Sequence, residues 1–172
     1  YEGSSELKKT SDLDIHDVVP ISKPERTGYI FQYWSEENQS DGYLSDGGWN
    51  PGTKDGYLKA IWKPITYTVH YEPNAPEGLT VTGHHDDQEH VYDVEKALES
   101  NTEYDDPTGY KIKDVKFLWW NTKPDGSGTT YSSGQVVKNL TTKDKDVVTL
   151  YAQWMVKYTV NHYTQELDGG YT

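Results

Sequence analysis

One pattern is written twice in this chain. Gly28-Tyr-Ile-Phe-Gln-Tyr-Trp34 leads through a Gly/Asp-rich loop to Gly56-Tyr-Leu-Lys-Ala-Ile-Trp62, and Val115-Lys-Phe-Leu-Trp-Trp120 leads through a similar loop to Val148-Thr-Leu-Tyr-Ala-Gln-Trp154. Duplication over several tens of residues points to a tandem array of small units, built to be strung together rather than to enclose one catalytic pocket.

The connectors repeat as well. Each closing Trp is followed by a short link and then by Tyr67-Thr-Val-His-Tyr71 or Tyr158-Thr-Val-Asn-His-Tyr163, the first strand of the next unit. Boundaries therefore fall near Lys63 to Thr66 and Met155 to Lys157, giving modules at 1–64, 65–156 and 157–172. Tyr1-Glu2-Gly3 matches Tyr71-Glu72-Pro73, where the second module leaves its opening strand. On that alignment the first module lacks its opening strand, the second is complete, and the third is a stub. The expectation is a fragment of a longer array.

Val148, Leu150, Ala152 and Trp154 alternate with Thr149, Tyr151 and Gln153, the period-two pattern of a half-buried strand. Leu58, Ala60 and Trp62 form the same inward row in the first module. Burying such a Trp contributes about 2 to 3 kcal/mol, so Trp62 and Trp154 are assigned to cores. Tyr67, Val69 and Tyr71 share one face of the next strand. Phe31 with Trp34, and Phe117 with Trp120, cannot both face inward on a regular strand, so either a kink intervenes or one of each pair is exposed.

One helix is predicted, from about Val94 to Ser100. Asp93 would be its N-cap, Val94, Ala97 and Leu98 would share a face, and Asn101 would end it. In the first module Val18-Val-Pro-Ile21 reads as an edge strand, since Pro cannot donate to a ladder. The architecture expected is α+β: small β-grasp modules, mostly strand, with a short helix crossing the sheet of the second.

The second module resembles the internalin B-repeat family, also called the Listeria/Bacteroides repeat. The resemblance is carried by Tyr67-Thr-Val69, Tyr92-Asp-Val-Glu-Lys-Ala-Leu98, the stretch from Phe117 to Tyr131 and Val148-Thr-Leu-Tyr-Ala-Gln-Trp154. It covers nearly all of 65–156 and extends more weakly over Ile21 to Trp62. It implies a ubiquitin-like module in a secreted, often wall-attached, bacterial surface protein concerned with adhesion and spacing, and no catalytic residues carry over. Trp119-Trp120 departs from the family, which usually has a small residue before the Trp.

With 28 acidic and 16 basic residues the formal charge is -12, which repels nucleic acid and anionic membranes. There is no Cys and hence no disulfide, and no apolar run approaches the length of a membrane span. His84-His85-Asp86-Asp87-Gln88-Glu89-His90 is the stretch nearest to a metal site, with His84, His85, Asp87 and His90 as the donors, but its spacing fits no established zinc pattern. Glu103, Asp105 and Asp106 lack the calcium-loop signature. Neither a phosphate loop nor a nucleophile arrangement stands out. No catalytic residues and no cofactor are expected.

Exposed aromatics are better candidates, because Tyr and Trp stack on sugar rings and dominate protein interfaces. Tyr33, Tyr43, Trp49, Trp119 and Tyr131 are the candidate binding residues. The functional expectation is a non-catalytic spacer and adhesive segment at the bacterial cell surface. The alternatives are a carbohydrate- or host-protein-binding module and, third, a metal-dependent hydrolase centred on the His cluster. Strand 158–163 is expected to mediate self-association by completing the open edge of a neighbouring molecule.

Overall fold

The computed structural model describes residues 18–37, 42–45, 47–50, 52–53, 56–101 and 108–156. Strand 158–163 and the carboxylates Glu103, Asp105 and Asp106 lie outside the described residues. The described residues form two compact units: 18–67 with Val91–Val94 and Asn139–Asp146, and Thr68–His90 with those of Glu95–Lys138 and 147–156.

The first unit is built on β1 (Tyr29–Glu37), β2 (Tyr43–Ser45), β3 (Gly48–Asn50) and β4 (Tyr57–Pro64). β1 and β4 pair antiparallel, from Tyr29 opposite Pro64 to Glu37 opposite Tyr57, with an irregularity between Phe31 and Tyr33. β2 pairs with β3. Val18-Val-Pro-Ile21 forms no strand of its own; Val19 makes a single bridge to Trp49, and Pro20 interrupts the ladder as its missing N–H requires.

This unit is completed by residues far along the chain. The Ile65 N–H donates to the Gly28 carbonyl at 3.0 Å, and the Tyr92 N–H donates to the Ile65 carbonyl at 3.0 Å. Tyr29 donates its hydroxyl to Asp93 at 2.7 Å, and Asp93 in turn accepts from the Asn139 amide at 2.8 Å. Tyr29 also packs edge-on against Tyr92, centroids 5.8 Å apart.

The second unit is organised by one curled sheet. Its strands are β5 (Thr66–Glu72), β6 (Val81–Thr82), β7 (Gln88–Val91), β9 (Lys111–Ile112), β10 (Val115–Asn121), β11 (Thr130–Tyr131) and β13 (Val147–Val156), and a separate pair joins β8 (Lys96–Ala97) to β12 (Val136–Val137). The order is β6-β9-β10-β13-β5-β7, with β11 added beside β10, and the sheet curls into an open half-barrel. β13 runs parallel to β5, Val147 opposite Thr68 through Tyr151 opposite Glu72. The inward row of β5 is Tyr67, Val69 and Tyr71, each no more than 1% exposed; Tyr71 packs against Trp120 of β10, centroids 4.8 Å apart, and Trp120, Leu150 and Ala152 are all at 0%.

The expected α+β β-grasp with its crossing helix is not found: the described residues are all β. Residues 94–100 instead supply β8, whose Lys96 and Ala97 pair with Val137 and Val136. A helix would bury Val94, Ala97 and Leu98 together, yet only Leu98 is buried, while Val94 is 53% exposed and Ala97 is exposed. Asp93 is no N-cap either. Its φ of 63° is left-handed, whereas an N-cap takes extended backbone, and its carboxylate is bound to Tyr29 and Asn139. A helical spacing over two turns is too short to prevail against a strand partner, here β12.

Candidate functional site

The two copies of the pattern share a backbone irregularity as well as a sequence. On β1, Phe31 lies opposite Trp62 and Tyr33 opposite Ile61, leaving Gln32 as the extra residue of a bulge. On β10, Phe117 lies opposite Trp154 and Trp119 opposite Gln153, leaving Leu118 as the extra residue. One inserted residue reverses the facing of everything after it, so residues three apart come to the same side.

An aromatic triad closes behind each bulge. The Phe31 ring lies 5.5 Å from Trp34 and 5.6 Å from Trp62, and the Phe117 ring lies 5.0 Å from Trp120 and 5.7 Å from Trp154. These are the tilted and edge-on separations that aromatic quadrupoles favour. The kink alternative of the sequence reading is thus realised in both copies. Trp62 and Trp154, assigned to cores, are half-buried at the end of each triad, and Trp154 donates to the Pro73 carbonyl at 2.8 Å.

The bulge has a second effect: it turns the residue between the triad members outward. Tyr33 is 59% exposed and Trp119 is 39% exposed. In the first unit the outward face of β1 and β4 pairs Tyr33 with Ile61, Ser35 with Lys59 and Glu37 with Tyr57. Lys59 reaches Glu37 diagonally at 3.1 Å. In the second unit the same face pairs Trp119 with Gln153 and Asn121 with Tyr151, Asn121 being covered by the loop that follows it, and continues onto β5 through Tyr151 with Glu72 and Thr149 with His70.

The remaining candidates are placed differently. Tyr43 is 54% exposed on β2, and Tyr131 is half-buried on β11. Trp49, expected on the binding surface, is 7% exposed; it belongs to the core of the first unit and donates its indole N–H to Glu36 at 3.1 Å. Tyr57, at 65% exposed, was not among the candidates. The alternation with Leu58, Ala60 and Trp62 already turns it outward.

The His-rich stretch is dispersed rather than gathered. His85 bonds Asn101 at 2.6 Å and lies among the rings of Tyr71, Tyr110 and Trp120. His90 is buried and contacts Gln88 at 3.3 Å. Asp87 turns to His70 at 2.6 Å, and His84 donates its backbone N–H to the Thr108 carbonyl. Among the described residues no group of three or more potential ligands could hold a metal ion.

Two polar groups that sequence reasoning did not single out shape this unit. His70 stands between Asp87 at 2.6 Å and Glu72 at 3.1 Å, and the Asp87 hydrogen bond above all raises its pKa from the ordinary value of 6.5. Its position two residues before Glu72, on the outward face of β5, is the signal that was available. The fully buried Asn121 donates to the carbonyls of Gly126 and Gly128 and to Thr130 Oγ1, and accepts from the Lys123 and Gly128 N–H groups.

No protein-family model matches the chain, and no solved structure matches it at a significant level. It is 31% identical over 157 residues to a protein of Evansella cellulosilytica described as a "putative Gly-rich membrane protein". That likeness covers 84% of this chain and 16% of the Evansella protein, so the chain spans a small part of the relative's length. Among the described residues no helix is long and apolar enough to cross a membrane.

Proposed function

We propose that the chain is a non-catalytic repeat segment of a bacterial surface protein, extracellular and anchored elsewhere in its parent, serving as a stalk with an adhesive face. The observation that carries this reading is the parallel pairing of β5 with β13. Tension applied through the link before Thr66 and the link after Val156 pulls these neighbouring strands past one another. Their evenly spaced hydrogen bonds are then loaded together rather than opened singly from one end. That arrangement suits a load-bearing module. The duplication of the bulged triad, the internalin B-repeat wording of the second module, and the likeness to a small part of a longer membrane-protein relative support the same reading.

Single-molecule stretching of the chain between terminal handles tests it. A cooperative high-force rupture is expected from the second unit, because forced unfolding follows the unfolding rate under load. Val69→Pro removes a β5 ladder donor and lowers that force. Gradual low-force extension of the unaltered chain overturns the stalk.

A second reading, recognition of a glycan or host protein, is favoured by one observation: both copies present an exposed aromatic at the same outward position.

A further inference from the structure

Comparison of the two copies separates outward positions that are held from those that drift. Ser35 on the first outward face corresponds in register to the covered Asn121 of the second copy, Lys59 to Tyr151, and Ile61 to Gln153. The position after the bulge is aromatic both times, Tyr33 and Trp119, and exposed both times, at 59% and 39%. Leaving Tyr33 mostly and Trp119 partly in water forfeits burial worth about 1 to 2 kcal/mol at each.

The geometry points to Tyr33 and Trp119 as stacking platforms for the pyranose rings of an uncharged polysaccharide, one platform in each copy. The inference rests on the adhesive part of the proposed function and names its ligand class.

The surroundings select that class over others. A protein interface centred on an aromatic needs a contiguous apolar patch around it. Tyr33 has Ile61 directly opposite, and Ser35, Lys59 and the Lys59–Glu37 ion pair end the apolar surface beyond it. Trp119 has the Gln153 amide opposite, with Tyr151 and Glu72 further across the sheet. A small aromatic and aliphatic surface bordered by hydroxyl, amide, ammonium and carboxylate groups suits a ligand with one apolar ring face and a rim of hydroxyls. The formal charge of -12 opposes uronate, sulfate and phosphate polymers.

Affinity electrophoresis of the full chain through gels containing xyloglucan, xylan or galactomannan, with hyaluronan as the anionic control, tests the assignment. Retardation by at least one neutral polymer and none by hyaluronan is expected. Trp119→Ala and Tyr33→Ala should each weaken the retardation constant roughly tenfold, Trp119→Tyr should retain most of it, and unfolding curves should show all three fully folded at the temperature of the gel. Mobility unaffected by every neutral polymer, retardation unchanged in both alanine variants, or equal retardation by hyaluronan would overturn the assignment. The stretching record of the same protein reports separately on the stalk, so a null result here with an intact force peak removes this inference alone.

Discussion

Phe117 and Trp120 stand three residues apart on one strand and still pack on the same side of the sheet, ring centroids 5.0 Å apart, because Leu118 is a bulge. Phe31 and Trp34 repeat the relationship around Gln32 at 5.5 Å. The copies differ in depth: Trp120 is 0% exposed, Trp34 half-buried. Trp120 also donates its indole N–H to the Glu99 carbonyl at 3.0 Å. Trp120→Ala should therefore cost about 3 to 5 kcal/mol, and Trp34→Ala distinctly less. Chemical denaturation of the two variants checks the order, and equal losses would mean that the triads are equally buried.

Gly28 tests how the first unit is held together. Its φ is 77°, and a Cβ there would overlap the Tyr92 ring. Gly78, at φ 78°, has open space around the corresponding position. Alanine at Gly78 should cost about 1 kcal/mol from left-handed backbone alone. Alanine at Gly28 should cost that and the displacement of Tyr92, with its edge-on contact to Tyr29. Thermal melts of the pair isolate the steric part. Matching midpoints would show that Tyr92 moves aside freely.

The rows Val148 to Trp154 and Tyr67 to Tyr71 were legible because a strand with one buried face writes its burial into alternate residues. The bulge was legible as a conflict of parity between Phe and Trp. The strand β8 was not: Val94, Ala97 and Leu98 carry helical spacing, and what overrides it is a partner near residue 136, a contact that no local window contains. Trp49 was misjudged for a similar reason, since a Trp in a Gly-rich loop reads the same whether the loop folds over it or presents it. Asn121, in a run of turn residues, resembled another turn former rather than the hub of the loop that follows it.

His70 makes stability depend on pH in a definite direction. Asp87, and after it Glu72, raise its folded-state pKa above the ordinary 6.5. The stabilisation is thus fully present below 6.5 and is lost as pH rises through the raised value. Buried His90 acts oppositely: desolvation first, then Lys96, lowers its pKa, so it removes stability as pH falls below 6.5. His90 is common to wild type and a His70→Gln variant and cancels in their difference. Unfolding midpoints measured from about pH 5 to about pH 8.5 should show the wild type ahead at the acidic end and the gap closing upward. The gap should also narrow in high salt, because His70 is partly exposed. A gap that widens with pH would contradict the assigned pair.

Asn121 offers the sharpest test of the second unit, because one atom exchange inverts its chemistry without changing its shape. Its amide nitrogen donates to Gly126 O at 3.1 Å, Gly128 O at 3.2 Å and Thr130 Oγ1 at 3.1 Å, while its oxygen accepts from the Lys123 and Gly128 N–H groups at 2.9 and 3.0 Å. Asn121→Asp keeps the two accepted bonds and sets a carboxylate oxygen against two carbonyls. The side chain is 0% exposed, so water cannot take over. The expected cost is about 2 to 4 kcal/mol, from unmet acceptors and a charge without a counterion. Protonating the new carboxyl restores one donor, so the deficit should shrink as pH falls toward the carboxylate range. Hydrogen exchange at the Lys123 and Gly128 amides locates the damage: both should lose protection in the variant while the β5 and β13 amides retain theirs. If all amides exchange alike, the loop 122–129 and the parallel pair open as one cooperative unit, and the independent local opening expected of this loop is wrong.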